Sequence, residues 1–123
     1  MTILIPEIEK IINEQLCLVA TVNKQGKPNV APKGTMRVLN NKELVYAEIF
    51  GGTTLQNILD NPEAIMVVAV DKETKKFVRL RGKAEVIEEG ELYKKIAKQV
   101  EEMKRGFPKP KAVVKIKIIE VIS

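Results

Sequence analysis

Residues 46–62 read YAEIFGGTTLQNILDNP. A strand, Leu44 to Ile49, passes through Gly51, Gly52, Thr53 and Thr54 into a short helix, Leu55 to Asp60, which Asn61-Pro62 stops. Glycines that lead a strand into a helix bring the backbone to the unpartnered N–H groups of the first turn, where the macrodipole leaves partial positive charge. With two threonine hydroxyls beside them, those groups suit an anion such as phosphate. The same residues also make a plain capped helix, with Thr53 or Thr54 as N-cap and the glycine pair as an ordinary turn. The stretch alone admits both readings.

Working outward, the segments on either side read mainly as strands. On the C-terminal side, Ala64 to Val70 is a continuous apolar run, as expected of a strand buried on both faces. Lys76 to Ile87 alternates cleanly, with Val78, Leu80, Gly82, Ala84 and Val86 inward. Small residues at Gly82 and Ala84 imply crowding inside a small closed barrel. Glu91 to Lys104 repeats apolar residues at Leu92, Ile96, Val100 and Met103, a helix. A stiff loop, Arg105 to Pro110, precedes the last strand, Ala112 to Ile122, whose phase breaks at Ile118-Ile119 as a bulge would. On the N-terminal side, Pro6 to Leu16 is an amphipathic helix. Cys17 to Val22 and Pro28 to Leu39 form a hairpin around Asn23–Lys27. Pro32 and Gly34 make its second strand an edge or a bulged strand. Within it Asn29, Ala31, Lys33, Thr35 and Arg37 share one face and Val30, Pro32, Met36 and Val38 the other. The expectation is a mainly β (α+β) fold, a six-stranded antiparallel split β-barrel with short flanking helices, in a single domain over residues 1–123.

Composition narrows the chemistry. At 45% hydrophobic and 30% charged the chain is globular. It has no histidine, which removes imidazole acid–base catalysis, histidine-based triads and the usual zinc sites. No metal site and no catalytic side chain are assigned. Any redox chemistry falls to a cofactor, with the protein supplying binding and orientation. The single cysteine, Cys17, lies in an apolar run as an inert core thiol, and an intracellular, cytoplasmic setting is expected. No signal peptide and no membrane-spanning run are read. The net charge of +5 permits an anionic partner, but the lysines are scattered and not interleaved with aromatics, so nucleic acid is not expected.

Three patterns in this order carry a resemblance over nearly the whole chain. They are a short helix before CLVATVNKQGKPNVAP, the strand–loop–helix ending LDNP, and FVRLRGKAEV. Together they resemble the split-barrel flavoproteins related to pyridoxamine 5′-phosphate oxidase, in particular their short FMN-binding members. The resemblance implies FMN at a homodimer interface. Backbone groups at Ala31, Pro32 and Lys33 would meet the polar edge of the flavin ring, on the strand that continues through Gly34 and Thr35. Tyr46, Ala47 and Glu48 would follow the ribityl chain. Gly51, Gly52, Thr53 and Thr54 would hold the phosphate, with Asn57 and Arg79 completing the candidate set. Family members commonly carry lysine, or arginine plus lysine, where this chain has Thr53 and Thr54, so backbone amides and a basic residue from elsewhere (Lys33, Arg37, Arg79 or Arg81) are expected to bind the phosphate. The segment from Met103 to Pro110 either closes over a partner's flavin or is a surface loop. The chain lacks the histidine and arginine extension that binds pyridoxamine phosphate, so that specific activity is not expected.

Two functional classes follow. One is an FMN-dependent oxidoreductase of flavin-reductase type, or an electron carrier, working with a small-molecule redox partner or an electron-transfer protein. The other is a non-catalytic protein that binds or stores flavin or deazaflavin. Whether the chain is an enzyme stays open between them.

Overall fold

The expected segments form helices and strands in the expected order in the computed structural model, which describes residues 3–122. Helix α1 spans Pro6–Glu14, α2 Thr53–Asp60 and α3 Glu91–Glu102. The strands are β1 Cys17–Val22, β2 Pro28–Lys33, β3 Arg37–Asn40, β4 Glu43–Glu48, β5 Ile65–Val70, β6 Phe77–Ile87 and β7 Ala112–Ile122. Pro6 sits in the first turn of α1, and Glu7 and Glu9 complement its dipole.

The described residues hold seven strands, one more than expected. The expected strand Pro28–Leu39 is two, because residues 34–36 turn the chain, with Met36 N–H donating to Lys33 C=O at 3.2 Å. The turn also flips the side-chain phase. Met36 ends up in the core, opposite to its expected face, while Pro32 stays outside.

All seven strands belong to one antiparallel sheet in the order β2-β1-β5-β6-β7-β4-β3. β2 and β3 occupy opposite edges of that order, yet three residues connect them. The sheet must therefore roll until its edges meet at the turn. Among the described residues a covalent link joins the edges and no ladder does, so the barrel is split, as expected. Thr35 supports the junction: its hydroxyl accepts from Ala47 N–H at 2.9 Å, where a β3 backbone carbonyl would otherwise serve.

The barrel interior is packed by Cys17, Val19, Leu44, Tyr46, Val67, Leu80 and Ile116, plugged by Ile11 and Ile12 of α1 and by Ile58 of α2. Each such aliphatic side chain stabilises the fold by about 1.5–3 kcal/mol on burial. A second core lies outside the barrel, where Tyr93, Ile96 and Val100 of α3 cover Val45, Ala47 and Val113. The bulge expected in the last strand is present: Arg81 pairs with Glu120 and Gly82 with Ile118, leaving Ile119 as the extra residue. The crowding at Gly82 is also present. A Cβ there would lie 2.6 Å from Ile116 Cγ2 and 2.7 Å from the Lys117 carbonyl oxygen.

One face departs from expectation. The continuous apolar run predicts β5 buried on both sides, but only Ile65, Val67 and Ala69 are buried. Its outward residues belong to an apolar face across β2, β1, β5 and β6. Val30 there is 61% exposed, Leu18 39%, Val70 47% and Phe77 56%. Among the described residues no helix is long and apolar enough to cross a membrane.

Candidate functional site

The β2–β3 turn, the end of β4 and the loop after α3 converge at one mouth of the barrel. Between them is a cleft of about 160 Å³, lined by Pro32, Lys33, Gly34 and Thr35, by Ala47 to Phe50, and by Arg105 and Phe107. Its floor is ionic. Lys33 lies on the inward face of β2 and Glu48 on the inward face of β4. Lys33 Nζ donates to Glu48 Oε1 at 2.9 Å and to Oε2 at 3.1 Å, with the two side chains 13% and 3% exposed. The ammonium also lies over the Tyr46 ring, 5.4 Å from its centroid. Lys33, expected beside the flavin ring or the phosphate, is in the fold half of a neutral pair, with one of its three N–H donors left over.

The roof of the cleft is aromatic and basic. Phe50 and Phe107 meet edge to face with centroids 6.3 Å apart. Phe50 itself is 68% exposed. Left-handed backbone at Lys104 and Gly106 turns the chain back after α3, and the Arg105 guanidinium comes down over Gly34, 3.7 Å from where a Cβ would stand.

Below Tyr46 the barrel is sealed. Its hydroxyl is fully buried and has no hydrogen-bond partner among the described residues. Burial, with the Glu48 carboxylate as a second cause, pushes its ionisation far above the usual tyrosine range.

Gly51 and Gly52 both have positive φ, 78° and 101°, which only glycine adopts without strain. Thr53 is exposed at the start of α2. Thr54 and Asn57 are buried and already engaged: Asn29 Nδ2 donates to Thr54 Oγ1 at 3.1 Å, and Asn57 Nδ2 donates to Thr21 Oγ1 at 3.1 Å. With Asn61 Nδ2 donating to Val22 C=O, these bonds fasten α2 to the β1–β2 hairpin. The cation at the turn is one the sequence reading did not name. Lys111 N–H donates to Glu48 C=O at 2.8 Å, which holds the residue against β4. Its Nζ lies 3.6 Å from the Cβ position of Gly51.

The structure thus gathers Pro32, Lys33, Gly34, Thr35, Ala47 and Glu48 around the cleft, with Tyr46 beneath and Gly51, Gly52 and Thr53 beside it. Ala31 is half-buried on the inward face of β2, next to that group. Arg79 is not brought there. It lies on the outer face of β6, three strands from Pro32 through Val68 and Leu18, about 14 Å across the sheet. Arg105 and Phe107 lie in the Met103–Pro110 segment, read as either a flavin cover or a surface loop, and they line the cleft of their own chain. Phe50 and Lys111 were missed, since neither carries a signal in its own neighbourhood that says where it docks.

Comparisons with known proteins agree with this fold. An uncharacterised protein of Methanocaldococcus jannaschii is 36% identical over 119 residues, spanning 95% of this chain and 78% of the relative. HupZ from Group A Streptococcus superposes with a TM-score of 0.86 at 36% identity, covering 95% of this chain and 90% of that one. A variant of HupZ reaches 0.88 at 35% identity, with 98% of both chains covered. More distant likenesses show the fold alone. An FMN-binding protein of Syntrophomonas wolfei has a TM-score of 0.75 at 18% identity, covering 93% of this chain and 81% of that one. An F420 reductase has 0.71 at 18%, covering 91% and 92%. HutZ, the heme storage protein of Vibrio cholerae, has 0.69 at 20%, covering 97% and 93%. The family model for pyridoxamine 5′-phosphate oxidase matches residues 4–123. A split barrel with this strand order, matched by that model from α1 through β7, makes the chain a member of the pyridoxamine 5′-phosphate oxidase family.

Proposed function

We propose that this protein binds FMN at the cleft and acts as an oxidoreductase or electron carrier. The observation that carries the reading is the convergence at one barrel mouth of the Pro32–Thr35 turn, the Lys33–Glu48 pair and the Gly51-Gly52 turn with Lys111. FMN would supply electron transfer in steps of one or two electrons. The residues fit its parts. Backbone groups of Ala31 to Lys33 and the remaining Lys33 N–H face the polar edge of the ring, and Phe50 and Phe107 cover an aromatic surface. Gly51, Gly52, the Thr53 hydroxyl and Lys111 form the phosphate end, with charge-assisted hydrogen bonds as the strong contacts. Thr54 and Asn57 position α2 and do not touch the ligand.

A cleft of 160 Å³ falls below the roughly 300–1,000 Å³ of usual cofactor pockets. The reading therefore includes a homodimer, in which the apolar outer face of β2, β1, β5 and β6 is covered by a second chain that also completes the cofactor site. Arg79, on that face, would then reach the partner's cofactor and not its own.

The deazaflavin F420 is the second reading, supported by the fold shared with an F420 reductase. Heme held by histidine does not fit, because the chain has none, and Cys17 and Tyr46 are sealed in the core.

Titration of the purified protein with FMN, riboflavin and F420, followed by flavin fluorescence and sedimentation, tests the reading. The expected result is one FMN per chain in a two-chain particle, with FMN bound tighter than riboflavin. A folded protein that saturates with F420 and not FMN would replace the first reading by the second; binding of neither, or FMN bound to a monomer, would overturn the site as drawn.

A further inference from the structure

The chain's positive charge is concentrated, and the cofactor reading does not use most of it. Residues 94–111 hold seven cations (Lys94, Lys95, Lys98, Lys104, Arg105, Lys109 and Lys111) against two carboxylates, Glu101 and Glu102. Their net is +5, offset at the start of α3 by Glu88, Glu89 and Glu91. The ion pairs found among the described residues use other lysines and arginines: Lys24, Lys33, Lys76, Arg81, Lys83 and Lys115. Like charges left unpaired in one region raise the local concentration of anions.

Three of these cations, Lys94, Lys98 and Lys109, border a groove of about 460 Å³ between α3 and the segment that follows it. That volume lies in the range of small-molecule sites. Its floor is Tyr93, Ala97 and Val100, and its far wall is Phe107, Pro108 and Pro110. Lys94, Lys98 and Lys109 stand at the rim, with Glu101 as the one carboxylate. The wall is fixed in place. Tyr93 Oη donates to Pro110 C=O at 2.6 Å, and two prolines restrict the segment. Lys109 Nζ sits 5.6 Å from the Tyr93 ring centroid, which holds its ammonium over the groove. A preformed groove loses less free energy to ordering when it binds. Phe107 lines both this groove and the ionic cleft, so the two sites share a wall.

We propose that the α3 groove is a second binding site, for a small organic anion with an apolar body: an aromatic or branched carboxylate or phosphate monoester. The apolar part lies on Tyr93, Ala97 and Val100 against the proline wall, and the anionic group lies between Lys98 and Lys109 or Lys94. The site stands on its own geometry, whether or not a flavin occupies the cleft. Its shared wall places the ligand beside the redox site, as a substrate or effector would be.

The test is a residue-resolved amide NMR titration of the full chain with 4-phenylbutyrate, and in parallel with 4-phenylbutanol and poly-glutamate. Saturable shifts confined to residues 93–101 and 107–111 are expected. The acid should bind about five-fold tighter than the alcohol at low salt, and the difference should vanish near 1 M salt, where the Debye length is about 3 Å. Replacing Lys94, Lys98 and Lys109 together by serine should remove the acid's advantage. The same change at Lys24, Lys27 and Lys42, which lowers the net charge equally, should leave it. Equal binding of acid and alcohol, or shifts centred on the outer face of β1, β5 and β6, would overturn the proposal. So would poly-glutamate shifting these amides while phenylbutyrate does not, since the patch would then be a protein-docking surface.

Discussion

Replacing Lys33 by methionine isolates the ionic floor of the cleft. The substitution keeps most of the side-chain volume and removes the ammonium, which leaves the Glu48 carboxylate 3% exposed without its two charge-assisted bonds. Breaking a buried ion pair from one side costs about 3–5 kcal/mol. The Lys33 side chain is 13% exposed at the cleft, so water can reach the site, and the lower end, about 3 kcal/mol, is expected. In a chain of 123 residues that corresponds to a fall in Tm of about 10 °C. Glu48→Gln keeps an acceptor for Nζ and should cost only about 1–2 kcal/mol. The double replacement Lys33→Met with Glu48→Leu removes both charges and their desolvation together, and should return to within about 1 kcal/mol of the parent. Urea unfolding of the parent, both single variants Lys33→Met and Glu48→Leu, and the double gives the coupling energy directly. A coupling below about 0.5 kcal/mol, with the single costs simply adding, would show that the pair is not formed, and the β2–β4 geometry of the cleft would be wrong.

Other consequences are as direct. Gly82→Ala drives a Cβ against the Lys117 carbonyl at 2.7 Å, a backbone atom that cannot turn aside, and should cost about 2–3 kcal/mol in thermal unfolding; an unchanged Tm would deny the tight β6–β7 bulge. Burial pushes the Cys17 thiol up to about 11 from 9.0, with Arg37 opposing it weakly. The folded state thus favours the protonated thiol, and this stability is intact below pH 9 and lost as pH rises toward 11, Tyr46 acting in the same sense. Ellman's reagent at pH 8 should therefore react only as fast as the chain unfolds; a rapid stoichiometric reaction in the native state would place Cys17 at the surface. Lys111→Ala should weaken FMN by roughly 1–3 kcal/mol and leave riboflavin unchanged, because riboflavin lacks the phosphate. Equal losses for the two ligands in a calorimetric titration would move the phosphate away from Gly51.

What the sequence determined by itself was whatever depends on near neighbours along the chain. The alternation of Val78, Leu80, Gly82 and Ala84 against charged residues set β6 and its inward face, because the strand period is two whatever the strand pairs with. The broken phase at Ile118-Ile119 marked the bulge, and Gly82 marked a close approach, before any partner strand was known. Amphipathic spacing set α1 and α3. The tertiary structure decided the rest. Pro28 to Leu39 reads as one strand, since Lys33, Thr35 and Arg37 keep the alternation through Gly34; only the rolling of the sheet, which places β2 and β3 on opposite edges, forces a turn there. Lys33 and Glu48 are 15 residues apart and Gly51 and Lys111 are 60 apart, and nothing in a charged residue's own neighbourhood tells whether a partner waits across the barrel. Thr54 and Asn57 looked as available as Thr53 because a hydroxyl or an amide reads the same in sequence whether it faces a ligand or another side chain. Which it faces is fixed by the packing of α2 on the hairpin, an interaction between segments that the chain brings together only on folding.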